Sequence, residues 1–405
     1  MFGNISRRGI IDIAGARRLI NQCLLPMERE QAGIMNVFGR TLAEDITTDA
    51  PVPPCDTATA DGYAAIASDT TGASRSTPRS LSVLSSSSPS RKRIEEGTVM
   101  RVKEGDPLPN GADTIIPPTE TYRPDNGPEV MVFAEIKPGE HITPAGSSIP
   151  AGQVVIGSGT EIRANEMGLI ASLGLPGVPV RRRPRVAIIT TGASVIDIVE
   201  EMQVGASRNS ARYALVGMIL DTGCDLGQLV HVREGRQGLK KAITDCPHCD
   251  AIIIALGPQD KHNTALQALA EVGDVIFDRL QMEPASATAF AMVNDLPIFL
   301  TESRSVLEAY EAIIRPGLLA LSGKENVSRI KIRASLGATL KLNPGCSHLI
   351  RAITALEDTG LVAKPLGSHS IESHPWIQPN SLIIIPENID TAKRGENYEV
   401  ILLGA

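Results

Sequence analysis

Apolar and polar positions change period along the chain, and the changes predict its elements. The stretch 185–192, Arg-Val-Ala-Ile-Ile-Thr-Thr-Gly, is an apolar β-branched run. It reads as a buried strand that delivers its C-terminal end into a loop. A second such run spans 250–256 and ends at Gly257. Between them, Ala211, Leu215, Met218 and Ile219 recur at helical spacing over 209–222, closed by Gly223. The stretch 264–272 is again helical in pattern. Short strands are predicted at 275–280 and 297–300, and a helix at 305–314. Strands alternating with helices imply crossover units and a mostly parallel sheet. Ligands on such sheets bind outside the carboxyl ends of the strands. The loops 191–196, 257–263, 282–288 and 300–305 therefore hold the candidate chemistry.

The flanking regions have other periods. Residues 12–30 predict a helix with Ile13, Ala16, Leu19, Ile20 and Leu24 on one face. Residues 52–136 are strand-sized apolar pieces, such as 98–102, 114–116 and 130–133, separated by Gly, Pro, Asp and Ser. Ser85–Ser88 reads as a surface loop by composition. A Gly/Pro-punctuated β segment over 137–160 and a short helix at 166–173 lead to Arg181–Arg183, read as a solvated linker. From Ser328 the pattern is β again, at 329–334, 347–354, 381–385 and 398–402.

Composition narrows the function classes. The 405 residues suit several domains. A net charge of −7 and 3% aromatic residues argue against a nucleic-acid partner. No apolar run reaches the roughly 18 residues that a membrane-spanning helix needs, and the N-terminus lacks a signal-peptide core, so no membrane partner and a cytoplasmic location are expected. Six scattered cysteines form no disulfide framework. Cys246-Pro-His-Cys249 has redox-motif spacing and could supply two metal ligands, but it precedes a strand instead of opening a helix. No residue is assigned as a metal ligand.

Several stretches together resemble the molybdopterin molybdenumtransferase family (MoeA and the gephyrin E domain). Residues 53–64, Pro-Pro-Cys-Asp-Thr-Ala-Thr-Ala-Asp-Gly-Tyr-Ala, resemble its PPFDNSAMDGYA, and 105–113 resemble its TGAPLPEGAD. Residues 138–142 and 146–152 resemble its GENIRxxGEDIxxG, and the Thr-Thr-Gly loop, Met282-Glu-Pro284 and Ile314-Arg-Pro316 follow in order. The resemblance implies α/β plus β architecture: a central, mostly parallel α/β molybdopterin-binding-like domain over 181–325, a C-terminal all-β domain over 326–405, and a β domain over 51–136. The last is inserted in a discontinuous N-terminal domain of 1–50 and 137–180. It further implies an elongated homodimer whose site lies in a cleft between subunits. The chemistry implied is binding and hydrolysis of adenylylated molybdopterin and insertion of molybdate, with Mg²⁺ at the pyrophosphate. A molybdenum-cofactor enzyme or a second MoeA-type protein would be a further partner. The resemblance does not distinguish molybdenum from tungsten.

The ligand loops depart from that pattern. The family's STGDEL reads Thr190-Thr-Gly-Ala-Ser194-Val, without either acid. Its DSNR reads Asn209-Ser-Ala-Arg212, and its GGVSxGxxD reads Gly257-Pro-Gln-Asp-Lys-His-Asn263-Thr-Ala265, with Asp260 the one carboxylate. Its KPGKP reads Glu283-Pro-Ala-Ser286-Ala, an acid and a hydroxyl in place of two lysines. Carboxylates hold Mg²⁺ and lysines neutralise phosphate, so these losses remove the family's chemistry where it is needed. The strands and helices between keep their pattern, which points to a selectively emptied site: a weak or inactive transferase, or a binding or scaffold protein. Asp61 and Asp260 are the candidate catalytic acids. Thr191, Gly192, Ser194, Asn209, Arg212, Gly257, Asn263, Glu283 and Ser286 are the candidate ligand-binding residues. A lining of mixed charge predicts weak affinity for pyrophosphate-bearing ligands.

Overall fold

The computed structural model describes residues 9–84, 93–124, 127–233, 235–325, 327–358, 360–366 and 379–404. The loop expected at Ser85–Ser88 lies outside these residues, and so does 367–370, whose Gly-Ser-His-Ser reads as a turn from the sequence. The chain divides into two compact units, Met1–Glu44 with Gly159–Ala405, and Asp45–Ser158.

The larger unit is built on a six-stranded sheet. Its elements are β1 (Arg185–Thr191), α1 (Ser210–Asp221), β2 (Asp225–Val232), α2 (Gly235–Thr244), β3 (Ala251–Leu256), α3 (His262–Val272), β4 (Asp274–Phe277), β5 (Ala289–Val293) and β6 (Leu296–Glu302). The spatial order is β2-β1-β3-β6-β5-β4. The first four strands are parallel, and β5 runs antiparallel to both β6 and β4. The mostly parallel sheet expected from the alternating pattern is present.

Both faces of the sheet are buried, as crossover helices require. One face packs Val186, Ile188, Ile253 and Ala255 against Leu215 and Ile219 of α1 and against the helical run after β6. The other packs Ala187, Ile189, Ile252 and Ile254 against Leu239 of α2 and Leu269 of α3. The chain holds only six phenylalanines, and three of them, Phe277, Phe290 and Phe299, meet in this core with ring centroids 6.1 and 5.1 Å apart. The helical run 306–321 contains a π-turn, Tyr310–Ile314, just before Pro316, which has no N–H to continue an α ladder. Tyr310 is buried there, its hydroxyl donating to the Met218 carbonyl at 2.7 Å.

A second six-stranded sheet follows in the same unit, ordered 282–283, 347–357, 360–365, 331–336, 397–402, 381–385. Two buried acids of the helical run tie it down. Glu308 accepts from both Arg351 nitrogens at 2.6 and 2.9 Å, and Glu311 accepts from Arg329 at 3.0 Å twice. The smaller unit holds its own six-stranded sheet, ordered 114–116, 62–65, 98–102, 79–83, 129–132, 121–122. Val99, Ile116, Val130 and Val132 form its core.

Several local expectations change. The first helix covers Ile13–Cys23 and stops before Pro26, which drives Leu25 out of the helical region. Arg29–Gly33 is instead a strand paired with Gly177–Arg181. Arg181–Arg183 is not a solvated linker. Arg181 ends that strand, and Arg182 grips Asp250 with two hydrogen bonds of 2.8 Å and also bonds Glu28. Burial pushes the Asp250 carboxyl up, but Arg182 together with the Arg185 N–H and charge outweighs it and holds the group below the usual carboxylate range. Three elements escaped the periodicity: β2, α2 and β5. The β5–β6 hairpin turns on Asn294 and Asp295, both at positive φ (48° and 65°), a signature of a two-residue hairpin loop.

Candidate functional site

At the carboxyl edge of the central sheet, the loops after β1 and β3 touch backbone to backbone. A Cβ on Gly257 would stand 2.5 Å from the Thr191 carbonyl oxygen, and one on Gly192 would stand 2.8 Å from Val195. Gly192 also holds φ at +131°, a conformation that favours glycine. Thr191 closes the junction: its hydroxyl donates to Asp260 and accepts the Gly257 N–H at 3.3 Å. Asp260 also turns back through its own N–H to the Gly257 carbonyl at 3.1 Å.

This junction forms one wall of a cleft of ≈ 230 Å³ between the strand ends and helices α2 and α3. Its polar lining is Thr191, Arg233, Arg236, Gln259, Asp260, Lys261 and Thr264. Arg233 pairs with Glu200 at 2.6 Å and Arg236 with Glu271 at 3.2 Å, both in exposed settings. Such pairs hold their partners by ~0–1 kcal/mol, so either arginine can turn to an anion. Of the expected site residues, Thr191, Asp260 and the backbone at Gly257 meet here. Arg233 and Arg236 were missed because β2 and α2 were missed. Their signals were the amphipathic Gly-Arg-Gln-Gly-Leu-Lys-Lys-Ala-Ile-Thr of 235–244 and the glycine that starts it.

Asn209 serves the fold. It is buried and caps α1, accepting the Arg212 N–H at 3.4 Å and donating to the Thr190 hydroxyl at 2.7 Å. Thr190 in turn lies 3.1 Å from His231 Nδ1, and His231 Nε2 lies 3.2 Å from the Gly192 carbonyl. A carbonyl only accepts, so Nε2 carries the imidazole proton and Nδ1 accepts from Thr190. Every polar group in that chain is satisfied. Arg212 is ion-paired to Asp197, whose carboxyl the Tyr213 hydroxyl at 2.9 Å holds below its ordinary range. Ser194 contributes its carbonyl to the Ser207 N–H at 2.9 Å, and Asn263 is exposed on the first turn of α3.

The consecutive polar residues Asp260, Lys261 and His262 are split. Asp260 faces Thr191, Lys261 lines the cleft, and His262 is buried with Nε2 donating to the Asp278 carbonyl at 2.8 Å. Burial pushes the His262 pKa down, so its ring is neutral at pH 7. Glu283 and Ser286 line no part of the cleft. Ser286 is exposed and accepts the Leu280 N–H through its carbonyl at 3.0 Å. Glu283 lies in register with His348 of the C-terminal sheet, where its carboxylate joins Cys346 and His348, with ligand atoms all within 4.8 Å of one another.

Asp61 belongs to the smaller unit. It is exposed, and its carboxylate accepts the Glu104 N–H at 2.9 Å, stapling the loop 103–106 to the start of the strand Gly62–Ala65. Asp56 does the same for Ala145 at 2.7 Å. A Cβ on Gly62 would stand 2.3 Å from the Ile116 carbonyl oxygen, so the Asp61-Gly62 pair is a requirement of this sheet.

The cleft's donor set does not fit a resident Mg²⁺. That ion is held by one or two carboxylates with water and substrate phosphate. Among the described residues the one lining carboxylate is bonded to Thr191 and shares the cleft with Arg233, Arg236 and Lys261.

Comparison with known proteins agrees with this architecture. Residues 11–174 match the family model of the MoeA N-terminal region (domain I and II), and 333–403 match that of the MoeA C-terminal region (domain IV). The molybdopterin molybdenumtransferase of Bacillus subtilis is 28% identical over 93% of this chain and 90% of its own. That of Staphylococcus epidermidis is 25% identical over 98% and 97%. A crystal structure of the molybdopterin biosynthesis moea protein from Pyrococcus horikosii superposes with a TM-score of 0.88, covering 98% of this chain and 100% of that one at 24% identity.

Proposed function

The chain belongs to the MoeA family, and from that premise we propose that it acts in molybdenum cofactor biosynthesis as a MoeA-like binding protein with weak or no transferase chemistry of its own. One observation carries the reading. The cleft at the sheet edge keeps cations for an anionic ligand, Arg233, Arg236 and Lys261, but the one carboxylate among its described lining residues is occupied by Thr191 and the residue at 209 is a buried helix cap. Phosphate can be held by the cations in charge-assisted hydrogen bonds. A metal ion bridging it to the protein lacks the acids it requires among the described lining residues.

Calorimetry with adenylylated molybdopterin, and with ADP as a simple surrogate, tests this. Binding is expected to be weak, to fall with added salt, and to be the same with Mg²⁺ or with chelator. Changing both Arg233→Ala and Arg236→Ala is expected to weaken it at least ~10-fold, given roughly 1.5–3 kcal/mol for a hydrogen bond to a charged group. Tight binding that needs Mg²⁺ would sink the proposal.

The family's dimeric architecture, and apolar side chains left in solvent, support a homodimer. Met35 is 83% exposed, and in the segment 198–204 Val199 is 86% exposed and Val204 108%, with Ile198 and Met202 exposed in the same segment. A run of exposed apolar side chains of this kind marks a protein contact. A second MoeA-type protein or a molybdenum-cofactor enzyme would be the partner in a scaffold role. Light scattering at micromolar concentration is expected to return the mass of two chains; a monomer mass contradicts it. The six cysteines, none bridged, suit a cytoplasmic protein, and no described helix is long and apolar enough to cross a membrane.

A further inference from the structure

We propose that Glu283, Cys346 and His348 form a binding site for a divalent transition metal of the zinc type, separate from the sheet-edge cleft. The topology assembles it. The short strand Met282–Glu283 pairs in parallel with Ser347–Glu357, and Glu283 stands in register with His348. Cys346 stands in the bend just before that strand, and its thiol comes to the side of the sheet where His348 projects. One thiol, one imidazole and one carboxylate thereby converge, with ligand atoms all within 4.8 Å of one another.

The spacing suits coordination. Cys346 Sγ lies 3.7 Å from His348 Nε2. A tetrahedral ion with metal–sulfur and metal–nitrogen bonds of about 2.3 and 2.0 Å needs these atoms about 3.5 Å apart. A sulfur, nitrogen and oxygen donor set favours zinc-type ions over Mg²⁺ or Ca²⁺. Glu283 and Glu387 add negative charge beside the thiol, which suits a cation. His348 is buried and Nε2 now donates to the Asn343 carbonyl at 2.9 Å. Binding replaces that hydrogen bond: the ring proton moves to Nδ1, the thiol proton goes to solvent, and the thiolate and imidazole each give the metal an electron pair. Three protein ligands leave a fourth position for water or an exchangeable ligand. The loop that carries Glu283 is the one where the resembling family has a lysine, and an acid there is what a cation site requires. Neither the cleft nor its cations enter this reasoning, so the site stands or falls apart from the proposed function.

Cobalt titration of the reduced full-length protein tests it. The expected result is one equivalent of Co²⁺ with a thiolate-to-cobalt charge-transfer band, displaced by one equivalent of Zn²⁺. The band is expected to survive in the Cys246→Ser/Cys249→Ser variant and to vanish in Cys346→Ser. Cys346 is half-buried in the bend just before the strand that opens at Ser347, so circular dichroism is expected to stay unchanged there. Glu283→Gln is expected to keep the band and weaken Co²⁺ by at least the roughly 10–100-fold that loss of an outer-shell partner costs, because Glu283 is a direct ligand. No band in the unmodified protein, a band that persists in Cys346→Ser, or one lost in Cys246→Ser/Cys249→Ser overturns the proposal.

Discussion

Supplied with adenylylated molybdopterin and molybdate, the protein alone is expected to activate a molybdenum-dependent reporter enzyme at least ~10²–10³-fold more slowly than a family member whose loops keep their acids. Removing a single preorganised charge-stabilising group costs about that much, and here several are missing together. Ala193 and Ser194 stand where the family loop carries acids. Asn209 occupies the third such position and is committed on both sides, to the Arg212 N–H and to Thr190. Asp260 is the one carboxylate among the described residues that line the cleft, and Thr191 bonds it. The measurement is reporter activity restored in an extract that lacks its own transferase. A rate close to that of an ordinary family member would show that the substituted loops do the chemistry by another route. The variant Asn209→Asp sharpens the test. A carboxylate there can still cap the helix but cannot donate to Thr190, so partial recovery of rate would place the deficit at this position.

Phe299→Ala is expected to be the most damaging single change to the central sheet, at about 3–5 kcal/mol. Phe299 is fully buried on β6 and its ring lies 5.1 Å from that of Phe290. It also sets the approach of the helix Arg315–Leu321: a Cβ on Gly317 would stand 2.7 Å from the ring. The ring is therefore enclosed by a strand neighbour and a helix backbone, and the cavity left by its removal has little freedom to collapse. Against a typical total stability of roughly 5–15 kcal/mol, the loss is large. Scanning calorimetry is expected to show the transition of the larger unit lowered by about 10 °C, and Phe299→Leu lowered by much less. A shift under about 3 °C for the alanine variant would mean that this core tolerates the void.

The strands that were readable share one property: they are buried on both faces. Ile188, Ile189 and Ile252–Ile254 form continuous β-branched runs because helices cover both sides of β1 and β3. β2 is an edge strand, half-exposed along its length, with Gly227 and Gln228 breaking the apolar run. No strong period marks it, and α2 went unread with it. That omission hid Arg233 and Arg236, the cations that give the cleft its character. The boundary errors have local causes of the same kind, such as Pro26 ending the first helix early.

Family, fold class and the depletion of acids in the ligand loops were decided by the sequence itself. They depend on residue identity in order along the chain, and a missing carboxylate is missing in any conformation. Which remaining groups meet was decided only by the tertiary structure. Asp61 and Asn209 hold loops and a helix end because backbone N–H groups arrive at their side chains. Asp260 faces Thr191 because two strand ends touch at Gly257. Glu283 leaves the cleft for Cys346 and His348 because residues some sixty positions apart in sequence pair in register. Pairings at that separation follow from sheet topology, which no local pattern of apolar and polar residues encodes.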